Sequence, residues 1–257
     1  MDQPTHARLF AVYDAYAQSF AGPDGQLEEM QALKFAHSHR VAATARTIAG
    51  EEKWPEADIR LADVVGLYHD IGRYRQYREY RTFQDYRSVD HGEYGWRIIN
   101  ETGCLDILPP EEREIVLVAT RRHNAKTVPA DLPPRQRQFL LLARDSDKID
   151  IYDVLYDNIR TRRYLKYPEI FHGVDPDGPV SPELLAKVRA RQPQSYKDAK
   201  SVSDFLLLTV QWLSDFNFPA SRRLVREHDV LGHIREIINL TPEVAETLDA
   251  AQHWLDD

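Results

Sequence analysis

Leu61-Ala-Asp-Val-Val-Gly-Leu-Tyr-His69-Asp70-Ile-Gly72-Arg73 is the stretch around which the rest of the chain can be read. It opens as a mostly apolar run of core-helix character and closes on two adjacent polar residues. His69 and Asp70 offer an imidazole nitrogen and a carboxylate to one region of space, a combination that suits Mn, Fe, Zn or Co. Gly72 is expected to end the helix and let the chain turn away. A His-Asp pair occurs by chance in many proteins, so its meaning depends on the other ligands the chain brings to it.

Outward from this run, helical periodicity dominates and strand-like alternation is scarce, which predicts an all-α chain. Helices are expected over about 6–20, 27–52, 56–70, 91–101, 111–123, 134–165, 181–190, 200–215, 219–227, 230–238 and 242–255. Pro109-Pro110, Pro133-Pro134, Ser181-Pro182 and Thr241-Pro242 each read as a helix start, where proline is tolerated. Gly173 to Pro179 reads as a long turn and the best internal boundary. It would separate a metal core of about 30–165 from a C-terminal helical extension of about 180–257, the whole forming one all-α domain over 1–257. The segment from Arg73 to Arg87 intersperses arginine with tyrosine and is expected to loop out beside the site. It could act as a lid, or simply be a solvated loop.

The partners of His69-Asp70 come from helical phase. Leu33, His37, Val41, Thr44 and Ile48 share one face, which points His37 inward and leaves His39 about 200° away. Leu140, Ala143, Asp147, Ile151 and Val154 form a second stripe, which makes Asp147 a better ligand candidate than Asp145. A carboxylate buried there needs a cation or strong donors. His91 opens one expected helix, and His123 closes another on the face of Val116 and Ala119. Singly, His37 reads more readily as a hydrogen-bonded core histidine, and Asp147 equally as a carboxylate paired with Arg144, Lys148 or a helix end. Four helix-borne imidazoles and two carboxylates together are hard to explain without a metal.

The chain carries 33 Lys plus Arg against 41 Asp plus Glu, a net charge of −8, which argues against a general nucleic-acid binder. The lone Cys104 excludes an intrachain disulfide and fits a reducing cytoplasm. No apolar run reaches the roughly 18 residues of a membrane span, and no signal-peptide pattern opens the sequence. Cytoplasmic localisation without membrane contact is the expectation; oligomeric state is not indicated.

These motifs resemble the HD-domain superfamily of metal-dependent phosphohydrolases. His37-Ser-His39-Arg40-Val-Ala is similar to its first His motif. Leu67-Tyr-His69-Asp70-Ile-Gly72-Arg73 is similar to its His-Asp motif. Asp145-Ser146-Asp147-Lys148-Ile-Asp150 is similar to its distal Asp motif, with Ser146 in place of alanine. The blocks appear in family order over roughly residues 30–160. The resemblance implies an all-α HD helical bundle with additional C-terminal helices, and metal on His37, His69, Asp70 and Asp147. His91 and His123 extend it to binuclear HD proteins, with Asp70 bridging. Asn124 stands where the HD-GYP class has a second His, and the Gly-Tyr-Pro block is missing, which argues against cyclic-di-GMP.

The leading expectation is hydrolysis of a phosphate ester or nucleotide by water activated on one or two divalent ions: Mn, Fe, Mg, Zn, Co or Ni. Asp70 is the catalytic candidate. Arg73, Arg122, Lys148 and Asn124 are candidates to bind a small phosphorylated substrate, each also readable as solvated or structurally paired. Two alternatives use the same core. One is a di-iron HD-type oxygenase on four His and two Asp. The other is a non-catalytic nucleotide sensor whose aromatic C-terminal helices, with Trp212, Phe216, Phe218 and Trp254, serve as an interaction surface or merely complete the core.

Overall fold

The computed structural model describes residues 1–166, 174–192 and 194–256. Among these the chain is helical, with an isolated bridge between Asp175 and Ser201 in place of any strand. It divides into two compact units, Met1–Asp150 and Ile151–Asp257. The division falls inside one long helix. Gly173, the start of the expected boundary turn, lies outside the described residues. No helix among the described residues is long and apolar enough to cross a membrane.

The first unit is built from α1 (Gln3–Gln18), α2 (Glu29–Glu51), α3 (Glu56–Tyr68), α4 (Gly72–Tyr80), α5 (His91–Thr102), α6 (Pro110–Arg122) and the first part of α7 (Pro134–Arg160). Local chemistry sets most boundaries. Asp2 caps α1 by accepting from Thr5 N, and Asp90 caps α5 by accepting from Glu93 N. Gly103, at φ 63°, ends α5 in the left-handed conformation that glycine adopts without strain. Pro110 opens α6, where its missing N–H costs no intrahelical bond. Leu61, Val64, Val65, Leu67 and Tyr68 are buried on α3, which makes it the core helix of this unit.

Two glycines set how closely helices approach the site. A Cβ on Gly66 would lie 2.8 Å from the Ala42 Cα, so α2 and α3 meet backbone to backbone. A Cβ on Gly72 would lie 2.4 Å from the His91 carbonyl oxygen. This corrects the expectation for Gly72. It does not end a helix: α3 stops at Tyr68, and Gly72 opens α4. What the position requires is the absence of a side chain where α4 abuts α5.

A second correction concerns Arg73 to Arg87. Residues 72–80 form a helix, and a short 3₁₀ turn covers Asp85–Arg87. Tyr74, Gln76 and Tyr77 are buried, while Arg78, Glu79 and Tyr80 are exposed, so the segment is amphipathic at helical period. Tyrosine supplies the buried face: Tyr74 packs edge-on against Tyr13, with the two hydroxyls 3.1 Å apart. The Arg/Tyr composition concealed this period because both residue types read as polar.

The second unit holds the end of α7 with α8 (Pro182–Arg189), α9 (Val202–Val210), α10 (Pro219–Glu227), α11 (Val230–Ile237) and α12 (Pro242–Ala251). Every residue of α9 is buried. Ser201 caps it by accepting from Asp204 N, and the Asp204 carboxylate accepts from Ser181 and Lys200 N–H groups. Phe216 and Trp254 are buried and Trp212 packs on Tyr152, so this aromatic area completes a core of its own.

Candidate metal centre

Five helices of the first unit deliver six side chains to one place. α2 carries His37, and the end of α3 carries His69 with Asp70 just beyond it. His91 is the first residue of α5, His123 caps α6, and Asp147 sits on α7. His37, His69, Asp70, His91 and His123 are all at most 5 % exposed. The Asp147 side chain is 19 % exposed and marks the side on which solvent reaches the cluster.

Asp70 divides the donors in two. Its Oδ2 lies 3.5 Å from His37 Nε2 and 3.7 Å from His69 Nε2. Asp147 Oδ1 closes that group at 3.2 Å from His37 Nε2 and 3.5 Å from His69 Nε2. On the other side, Asp70 Oδ1 lies 3.4 Å from His91 Nε2 and 3.6 Å from His123 Nε2, and those two nitrogens are 2.9 Å apart. Separations of this size suit ligand bonds of about 2.0–2.2 Å to a shared ion.

The far side of each imidazole is committed. His69 Nδ1 donates to the Gly66 carbonyl at 2.6 Å, and His123 Nδ1 to the Thr120 carbonyl at 2.9 Å. A carbonyl can only accept, so Nδ1 carries the proton in both rings and Nε2 presents a lone pair when the ring is neutral. His37 Nδ1 lies 2.6 Å from Asp150 Oδ2, and His91 Nδ1 lies 2.6 Å from Asp85 Oδ2. All four Nε2 atoms therefore face the cluster, backed by groups that raise their basicity, as metal-bound histidines require. Asp70 Oδ1 is buried without a hydrogen-bond partner, its nearest cation the Arg73 guanidinium with Nε at 3.4 Å, which leaves it able to take a metal ion. The residues fit one or two divalent ions.

Electrostatics agree. Burial alone would raise the Asp70 carboxyl, but Lys34, His69 and Arg73 outweigh it and hold it well below the usual carboxylate range. Burial, joined by Arg73, pushes His91 down to about 4, which keeps it neutral and available as a ligand near pH 7. Burial and Lys34 press His37 downward, but hydrogen bonds with Asp147 and Asp150 prevail and raise it.

The four substrate-binding candidates are placed differently. Arg73 Nε lies 3.4 Å from Asp70 Oδ1, and its Nη1 donates to Asp85, Gln76 and the Phe83 carbonyl. Asn124 Nδ2 donates to Asp90 at 3.1 Å and to Asp85 at 3.4 Å, so it also backs His91. Lys148 is buried on α7. Arg122 is exposed and lines a separate surface cavity with Trp96, Leu117 and Val118. His39, set aside by helical phase, bonds Asp14. Asp145 is buried outside the donor groups found among the described residues.

Sequence reasoning missed three residues at the centre. Lys34 Nζ lies 2.7 Å from Asp70 Oδ2. It stands three residues before His37 on the same helix, a spacing that put it within reach. Asp150, three residues after Asp147, backs His37 and is itself held by Arg40 at 2.5 and 2.9 Å. Asp85 carried no local signal, because its role depends on how the connection after α4 folds back.

Residues 35–155 match the family model for the HD domain. Over that stretch the chain is similar to the HD domain, a helical fold associated with metal-dependent hydrolases. No curated protein and no solved structure matches the chain.

Proposed function

We propose that the chain is a metal-dependent phosphohydrolase acting on a small phosphate ester or nucleotide. The observation that carries this reading is the division of Asp70, whose two buried oxygens each face a separate pair of histidine Nε2 atoms. Divalent ions held by His37, His69, Asp70 and Asp147, and by Asp70, His91 and His123, would supply an activated water and polarise a phosphoryl oxygen.

The protein's own groups provide the rest. The histidine backing fixes each donor, so little reorganisation is needed when charge develops. Asp147 and Lys34, with side chains 19 % and 15 % exposed, lie on the open side. Lys34 stands 5.7 Å above the Phe83 ring and can turn from Asp70 toward an incoming phosphate oxygen. Arg73 holds Asp70 and Asp85 in register rather than reaching outward. The cations around Asp70 favour an anionic substrate, which supports hydrolysis over an oxygenase reaction on the same donors. The complete donor set favours catalysis over sensing.

The test is metal analysis of the purified protein together with a screen of nucleoside mono-, di- and cyclic phosphates and generic phosphate esters in Mn²⁺. Release of phosphate or a nucleotide product is expected. Oxygen uptake by the iron-loaded protein with no phosphate release would overturn the reading in favour of the oxygenase. Tight nucleotide binding with no turnover would overturn it in favour of a sensor.

A further inference from the structure

The two halves of the donor cluster are built unequally. The half facing Asp70 Oδ2 has four protein donors: His37, His69, Asp147 and Asp70 itself. The half facing Oδ1 has three of its own, His91, His123 and Asp70, although the ligand atoms of His69 and Asp147 also come within 4.8 Å of that of His123. Fewer protein donors leave more coordination to water and hold an ion less tightly.

The supports differ as well. In each half one histidine is backed by a neutral carbonyl, Gly66 O for His69 and Thr120 O for His123. The other is backed by a carboxylate, and these two carboxylates are not alike. Asp150, behind His37, sits on α7 one turn from Asp147, is 4 % exposed, and is clamped by Nε and Nη2 of Arg40. Asp85, behind His91, sits in the connection between α4 and α5 and is 32 % exposed. It is held there by Arg73 at 3.1 Å and by Gln76 Nε2 at 3.0 Å. Gln76 also ties down Ser88 and the Val89 carbonyl, so this one buried amide organises the connection. Water competes for a carboxylate that is one-third exposed, and a support on a connection yields more readily than one on a helix.

We propose that the ion held by Asp70 Oδ1, His91 and His123 is the exchangeable one of the pair, and that Asp85 is the positioning residue that sets its affinity. The inference rests on the binuclear reading of the site and deepens it: one ion is resident, and the other arrives and leaves through a position whose strength is set by the connection after α4. Removing the group behind a metal-bound histidine typically costs about 10–100-fold in metal affinity.

The test is calorimetric titration of the full, EDTA-stripped chain with Mn²⁺, comparing wild type with Asp85→Asn and Asp150→Asn. Wild type should show two binding events of different affinity. Asp85→Asn should weaken the weaker event about 10–100-fold and leave the tighter one within about twofold. Asp150→Asn should do the reverse. Circular dichroism checks folding. Should Asp85→Asn not fold, Gln76→Met keeps the Asp85 carboxylate but removes one of its holds and releases the connection, and should weaken the same event. Equal weakening of both events by either variant, no change in Asp85→Asn, or a single wild-type event would overturn the inference alone. A wild type that binds no Mn²⁺ would overturn the metal-centre reading beneath it.

Discussion

Asp70 is the residue on which the site depends, because it faces both donor groups and touches Lys34 and Arg73. Asp70→Ala should lose bound metal and phosphate-ester hydrolysis together, read by metal analysis and product release on the same sample. Retained hydrolysis would contradict the mechanism. Asp63, away from the site, gives a pH-dependent prediction. Burial raises its carboxyl above the ordinary value, although His6 at 2.8 Å and Arg46 at 3.3 Å oppose the shift. Its folded-state value thus exceeds the unfolded value of about 3.9. Its contribution to stability is full below the unfolded value and is lost as pH rises through the folded one. Denaturant unfolding of wild type and Asp63→Asn should therefore show wild type losing stability relative to the variant as pH rises from 3 toward 7. At this scale His37, His69, Asp70, His91, His123 and Asp147 were legible from residue type and helical phase. Lys34 was available at the right spacing yet passed over, because a lysine beside a metal ligand reads as solvated.

At the scale of elements, the centre depends on how helix ends meet. His69, His91 and His123 all stand at helix termini, so small shifts of α3, α5 or α6 move ligands directly. Gly72→Ala would press a methyl group against the His91 carbonyl at 2.4 Å, and backbone rather than a flexible side chain must yield. Overpacking of this kind costs about 1–3 kcal/mol. Because His91 opens α5, Mn²⁺ affinity should fall mainly at the His91/His123 position, measurable by titration alongside denaturant unfolding. The same element carried the least legible part of the sequence. Gly72 reads naturally as a stop and Arg73 to Arg87 as a loop, because a helix whose buried face is tyrosine and glutamine lacks the aliphatic periodicity that announces one. The aliphatic helices α3, α6 and α9 were plain for the opposite reason.

At the scale of the molecule, a cluster of buried carboxylates and imidazoles that takes up metal would also act as a stability device. A ligand that binds only the folded state adds about 2.7 kcal/mol when present at 100 times its dissociation constant. Unfolding of the full chain in saturating Mn²⁺ should therefore require more denaturant than in EDTA, and Asp70→Ala should show no such difference. A wild-type midpoint indifferent to Mn²⁺ would argue against metal at these donors.

The sequence by itself determined that the chain is helical and singled out the six side chains, His37, His69, Asp70, His91, His123 and Asp147, that the fold gathers in one cluster. Helical phase and residue chemistry are local properties, and the HD match over residues 35–155 agrees with the family to which those motifs pointed. Only the tertiary structure decided which groups support the ligands. Asp85 and Asp150 reach their histidines across 6 and 113 residues of chain, and Lys34 reaches Asp70 across 36. It likewise decided that Arg73 braces the site while Arg122 lines a separate cavity. Hydrogen bonds between segments depend on how the backbone closes, and closure here rests on close helix contacts at Gly66 and Gly72 that no periodicity records.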